Sequence, residues 1–171
     1  MPRPADFRAL PFELRNVSSS GQYLGSRIYW KIFLLENTLR VLINTILTAQ
    51  LKTTDWFPQV ADKKLKKRVK RFKADYAGHP KHNLPGNHDV YYLFLSDLTK
   101  ILSFNSNQFR PVVKDIDQWI AKLEDVRIPR NLIAHMNWPN QSDELIIERT
   151  HTDLKKLLVD LISRGIILQI P

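Results

Sequence analysis

Arg130, Asn131 and His135 fall within six residues, in the run Arg130-Asn131-Leu132-Ile133-Ala134-His135. Arginine keeps its charge and can hold two phosphate oxygens at once. Histidine can take or give a proton near neutrality. Together these groups suffice to break RNA without a metal. RNA carries its own nucleophile, the 2′-OH. The imidazole takes that proton or delivers one to the leaving 5′ oxygen, and the guanidinium holds the phosphate as charge concentrates on it. On a helix, Asn131 and His135 are four apart and share a face. Arg130 lies one step round, with a side chain long enough to swing over the same spot. Leu132, Ile133 and Met136 can face a core behind them. One histidine does only one of the two proton transfers well, and a symmetric dimer would bring two such stretches to one cleft. The plainer reading of the same residues is helix capping and surface polarity, since six residues make a short motif.

The elements that must hold this run read as helices. Residues 1–21 contain three prolines and a Ser18-Ser19-Ser20-Gly21 run, which predicts an irregular arm. From about Gln22 to Lys52, apolar residues recur at i+3 and i+4, with Tyr23, Leu24, Ile28, Phe33, Leu35, Leu39, Leu42, Ile43, Ile46 and Leu47 on one wide stripe. Asp55 is placed as the N-cap of a second helix that carries Pro58 in its first turn and runs to about Tyr76. Two Pro/Gly clusters then mark a loop. A third helix is expected from Asp89 to Phe104, a fourth from Val112 to Asp125, a short fifth opened by Pro129 from Arg130 to Met136, and a last from Ser142 to Ser163, closed by Gly165. The apolar tail Ile166-Ile167-Leu168-Gln169-Ile170 either docks on the body or pairs with a second chain. No stretch alternates with period two. The expectation is an all-α, single-domain bundle of five or six helices over 22–165, flanked by the arm and by the 166–171 tail.

Charge narrows the partners. The 171-residue chain has 26 Lys and Arg against 17 Asp and Glu, a net +9. The surplus is concentrated in Lys63-Lys64-Leu65-Lys66-Lys67-Arg68-Val69-Lys70-Arg71-Phe72-Lys73, eight basic residues in eleven. Leu65, Val69 and Phe72 recur at +4 and +3, so one face packs and the others carry charge. Such a stripe fits RNA, with affinity that falls steeply as salt rises. It places a strand and cannot read sequence. The alternatives are a solvated face, a membrane surface or a nuclear-import signal.

Other chemistries have little support. There is no cysteine, which removes disulfides and thiolate zinc sites. His79, His82 and His88 share one loop, but their spacing matches no metal template, and a polar loop is the simpler reading. His151 reads as a surface residue. Asp115, Asp117, Glu124 and Asp125 read as a solvated face and an end-cap. Trp30, Trp56 and Trp119 are assigned to the core, as are Tyr91 and Tyr92, with the wall of the cleft as the alternative for the two tyrosines. No Gly-rich phosphate loop occurs. No apolar run is taken as a membrane span, and the N-terminus lacks the apolar segment of a signal peptide, so the cytoplasm is the expected setting.

The motif and its surroundings resemble the HEPN superfamily of helical RNases and nucleotide-binding domains. The resemblance rests on Arg130-Asn131-Leu132-Ile133-Ala134-His135, on the preceding Trp119-Ile120-Ala121-Lys122-Leu123 and Arg127-Ile128-Pro129, and on Leu35-Glu36-Asn37-Thr38-Leu39-Arg40. The last looks like the acidic residue followed by Leu-Arg of the branch first noted beside a yeast nuclear RNA-surveillance endonuclease. Together these span roughly residues 27–160. The resemblance implies a dimeric, metal-independent endoribonuclease with no cofactor, leaving 2′,3′-cyclic phosphate ends. Arg130 and His135 would act on the phosphate, with Asn131 and Glu36 positioning them and Lys63, Lys64, Lys66, Lys67, Arg68, Lys70, Arg71 and Lys73 binding RNA. A toxin or phage-defence setting follows from the family, with a cognate antitoxin or other protein as partner. One departure matters: Asn137 stands where family toxins carry a modifiable tyrosine, which removes that mode of control. The alternatives are an inactive HEPN module that binds RNA, a nucleotide or a protein, and a helical adaptor for an acidic partner.

Overall fold

A computed structural model describes residues 2–171. Seven α-helices follow one another, and no strand occurs among the described residues. The first, α1, runs unbroken from Leu14 to Leu51. Its inward positions Ile28, Ile32, Leu35, Leu39, Leu42, Ile43, Ile46 and Leu47 are buried at spacings of three and four, which is why it forms the wall of the core. A single π-turn over Gly25–Tyr29 shifts the register of this helix midway. The irregular segment therefore ends at Glu13, short of the expected residue 21. Leu14 to Ser20 lack a break strong enough to overcome propagation from a long helix.

By length and composition α1 also meets the requirement for a membrane span, contrary to the sequence expectation. Some 56% of its most apolar window is buried against the other helices, as befits a core element.

After α1 come a single turn, α2 (Phe57–Val60), then α3 (Lys63–Ala77), α4 (Leu95–Phe104), a second single turn α5 (Ser106–Phe109), α6 (Ile116–Ala134) and α7 (Gln141–Ser163). Helices α1, α4, α6 and α7 pack on one another around Leu35, Leu39, Leu98, Leu123, Leu154 and Leu161. The basic helix α3 lies on this body through Leu65 and Val69.

Three expectations are corrected. The second helix does not start at Asp55: Asp62 caps α3 by accepting the Leu65 N–H at 2.7 Å, and Ala61 is extended, splitting off the turn α2. The third helix starts at Leu95, because Asp97 turns back to accept the Phe94 N–H at 3.0 Å. Residues 89–92 form a 3₁₀ turn instead. The fourth and fifth helices are one. Trp119, Leu123, Val126, Pro129 and Ile133 continue a single buried stripe through α6, so the packing carries the helix past Pro129. Pro129 still leaves the carbonyl of Asp125 without its i+4 donor.

Several side chains lie elsewhere than expected. Trp30 and Phe33 are exposed, as is Met136, while Trp56 and Trp119 are buried. His151, read as a surface residue, is 4% exposed. The tail docks on the body. Gln169 N–H donates to Thr45 Oγ1 at 2.7 Å, and its carbonyl accepts from Asn44 Nδ2 at 3.2 Å. Gly165, at φ +73°, supplies the left-handed residue that ends α7, with the Ile166 N–H bonding back to the Leu161 carbonyl.

Candidate functional site

Arg130 sits one residue past the buried Pro129, on the inner side of α6. Its Nε donates to Glu36 Oε1, and the two groups form an ion pair. Glu36 lies on α1 and is 6% exposed, a carboxylate that must be paired to be tolerated there. It has two partners. Its other oxygen, Oε2, accepts from Arg40 Nη2 at 3.1 Å, one helical turn further along α1. Two guanidiniums around one carboxylate leave the cluster with a net single positive charge.

The two arginines are not equivalent. Arg40 spends three donors on the protein, Nη2 also donating to the Leu93 carbonyl at 2.8 Å and Nη1 to Asn37 Oδ1 at 3.1 Å, and its Nε is buried with no hydrogen-bond partner. Arg130 spends Nε on Glu36 and one Nη1 hydrogen on Asn131 Oδ1 at 3.3 Å. Of the five donors of a guanidinium it keeps three. The fixed arginine with capacity for an anion is therefore Arg130. It also lies over Phe94, with the guanidinium carbon 6.0 Å from the ring centre.

These groups open on a cleft of about 340 Å³ lined by Glu36, Asn37, Arg40 and Arg130 on its polar side. Tyr29, Phe33, Tyr91 and Met136 supply much of the apolar wall. Tyr29, Phe33 and Met136 are all at least half exposed, an unusual density of large apolar groups at one cleft mouth.

His135 is not among the residues lining this cleft. It caps the C-terminus of α6 (φ −90°, ψ 19°) and is exposed. Among the described residues its ring has no hydrogen-bond or ion-pair partner. The helix explains the separation. Five residues at 3.6 per turn rotate His135 about 140° from Arg130. The Arg130 side chain reaches the Asn131 amide through Nη1 at 3.3 Å, while its Nε is held by Glu36. Just beyond His135 the chain reverses. Met136 takes the left-handed conformation at φ +58°, and the Asn137 N–H bonds back to the Leu132 carbonyl at 3.0 Å. Glycine is the usual residue there; Met136 holds a strained φ next to the one free imidazole of the motif.

The end of α6 is anchored from behind by a second apolar cluster of Tyr23, Ile28, Ile32, Ile133, Trp138 and Ile147. Asn140 and Asp143 then start α7 with reciprocal bonds of 2.9 Å each. The turn that carries His135 is thus fixed at both ends although its ring is free.

The basic stripe splits in the same way. Arg68 pairs with Asp97 and Lys73 with Asp89. Lys63, Lys64, Lys66, Lys67, Lys70 and Arg71 have no carboxylate partner among the described residues and are exposed. Arg71 lies over the Phe72 ring at 5.4 Å.

Among the described residues no three His, Asp or Glu side chains come together as a metal-holding group. His79 and His82 sit 6.3 Å apart, ring to ring. His88 turns inward: Nδ1 accepts from the Val90 N–H and Nε2 lies 3.1 Å from the Thr54 carbonyl, an arrangement for the neutral ring. Burial holds its pKa below the ordinary histidine value. The buried His151 is likewise pushed down, by desolvation first and then by Lys155; it meets Trp30 edge-on, and neither ring nitrogen has a hydrogen-bond partner.

Sequence reasoning missed Phe94 as part of this region and gave Arg40, though quoted beside Glu36, no role of its own. Arg40 carried a signal in its i+4 spacing from Glu36, and Phe94 carried none. Tyr91, for which the cleft wall stood as the alternative to the core, does line the cleft. Compared with protein-family models, with curated proteins and with solved structures, the chain gives no match in any of the three.

Proposed function

We propose that this protein is a metal-independent endoribonuclease of the HEPN type, acting as a homodimer on RNA gathered by the α3 stripe. The observation that carries the reading is Arg130. It is fixed by a buried carboxylate, left with spare donors at the head of a cleft, and placed on the same helix as an exposed imidazole with no other employment. Arg130 holds the scissile phosphate. His135 takes the 2′-OH proton, or protonates the leaving 5′ oxygen. The 2′ oxygen bonds to phosphorus as the 5′ oxygen departs, leaving a 2′,3′-cyclic phosphate and a 5′-OH. Glu36 and Asn131 position the guanidinium. Within one chain, Arg130 and His135 face about 140° apart. Tyr29, Phe33 and Met136 offer a second copy an apolar seat beside the cleft, and that copy brings its own helix end. The resemblance carries a toxin or defence setting, with an antitoxin or other protein as a further partner.

The separation of the two groups within one chain also favours a second reading, an inactive module that binds RNA, a nucleotide or a protein. Incubation with mixed RNA in EDTA, beside Arg130→Ala and His135→Ala, separates them. Cleavage lost in both variants is the expected result. Intact RNA that binds in a salt-sensitive manner leaves the module, and no RNA binding at low salt removes both readings.

A further inference from the structure

The largest cavity described does not lie at Arg130. It is a groove of about 440 Å³ between α3 and α4, within the roughly 300–1,000 Å³ of small-ligand pockets. Its floor is apolar, built from Val60, Leu65 and Ile101, and Phe104 stands at its edge, 75% exposed. Its rim is cationic, with Lys64, Lys67, Arg71 and Lys100 all exposed. The two carboxylates that line it are already occupied: Asp62 caps α3, and Asp97 caps α4 while pairing with Arg68. Four free cations around an apolar floor with one exposed aromatic edge form a site for a flat, partly apolar anion. A simple solvated stripe would need neither the floor nor Phe104.

The groove and the Arg130 cleft each place one arginine against the same ring. Phe94 is flanked by two guanidiniums, Arg68 at 5.7 Å and Arg130 at 6.0 Å from its ring centre. One exposed ring therefore lies between Arg68, which lines the groove, and Arg130, which lines the cleft.

We infer that the α3–α4 groove binds a nucleotide unit, with an unpaired base over Leu65, Ile101 and Phe104 and its phosphate on Lys64, Lys67, Arg71 and Lys100. The unit comes from single-stranded RNA whose neighbouring phosphates pass Phe94 toward Arg130, or from a free nucleotide. The inference shares its RNA partner with the proposed function but does not depend on cleavage at His135. An acidic peptide would be satisfied by charge alone and would gain nothing from the aromatic edge.

The test measures binding of a short fluorescent 2′-O-methyl RNA, which has no 2′-OH to react, so cleavage activity does not enter. Phe104→Ala and the pair Lys67→Ala/Lys100→Ala are compared with Lys63→Ala/Lys70→Ala, which removes the same charge from α3 positions outside the groove. All these side chains are exposed, so the fold is retained. Loss of one stacked base costs about 1–3 kcal/mol, roughly a 5- to 150-fold weakening for Phe104→Ala. The groove pair should weaken binding several-fold more than the outside pair. An adenosine or uridine monophosphate arm identifies the source. A mononucleotide that binds with the same Phe104 dependence while the RNA does not assigns the groove to a free nucleotide. Equal losses in both lysine pairs with no effect of Phe104→Ala would overturn the inference. So would duplex RNA or polyglutamate binding as tightly as the single strand. Failure here leaves the EDTA cleavage result untouched, and failure of cleavage leaves this binding result standing.

Discussion

The two ends of one short run are built in opposite ways. Arg130 has 18% of its side chain exposed and is tied to a buried carboxylate that a second arginine also grips. His135, five residues on, is exposed, and its ring has no bonding partner among the described residues. The protein thus fixes the group that would bind a phosphate and leaves free the group that would move a proton. Fixing a cation keeps its reorganisation cost low when charge develops on a phosphate. In the proposed dimer a second copy places the free imidazole, seated on the exposed Tyr29, Phe33 and Met136.

The contrast is broken most severely at Glu36. Glu36→Ala leaves Arg40 and Arg130 without their carboxylate in a mostly buried setting, and breaking such a pair costs about 3–5 kcal/mol. Chemical denaturation should show that loss; an unchanged midpoint would mean that the cluster holds nothing. Arg130→Ala is milder, since Glu36 keeps Arg40, and should cost roughly 1.5–3 kcal/mol, the worth of hydrogen bonds to a charged group. His135→Ala should stay within about 0.5 kcal/mol of the parent, as surface changes do. Equal melting of the last two variants would erase the distinction between the ends.

Acid probes a different part of the molecule, the two histidines whose pKa burial lowers. His88 and His151 both have folded pKa values below the ordinary 6.5, chiefly through burial. Below 6.5 the unfolded chain binds protons that the folded one refuses, so stability present above that pH is lost as pH falls toward the folded values. His151 is flanked by Lys31 and Lys155, which resist its protonation, and by Glu148, which favours it. A thermal melting series from neutral pH downward should therefore slope toward lower midpoints, less steeply in His151→Phe. A slope unchanged in that variant would assign the acid sensitivity elsewhere.

A further small effect is expected at the turn after the motif. Met136 occupies a left-handed position at φ +58°. Met136→Gly should relieve roughly 1 kcal/mol of backbone strain, part of which the freer unfolded chain takes back. A net loss in melting temperature would show that the exposed methionine contributes more through contact than it costs in strain.

Much of the fold was legible because its cause is local. The i+3 and i+4 stripe from Ile28 to Leu47 is visible in the chain, and so are the Gly165 stop and the break at Asn105. Where helices begin was less legible. Asp62 outcompetes Asp55 as a cap because only Asp62 precedes a helix that buries Leu65 and Val69, a tertiary fact. Pro129 misled for the same reason: Val126 and Ile133 pack on either side of it and hold α6 together. The site was half legible. Arg130 and the basic stripe announce themselves by type and spacing, and Glu36 was named only through the family resemblance. That Arg130 turns inward while His135 turns out is fixed by their five-residue phase and by a carboxylate 94 positions away. The groove edge at Phe104 and the bridge at Phe94 have no sequence signal.

The central claim is that the two ends of the motif act in one site contributed by two chains. The direct measurement mixes Arg130→Ala with His135→Ala, each inactive alone, after dissociation and reassociation, and follows RNA cleavage in EDTA. The account predicts recovered activity, because one site of each mixed dimer draws its arginine from the His135→Ala chain and its histidine from the Arg130→Ala chain. Mixed dimers that form and stay inactive would contradict it.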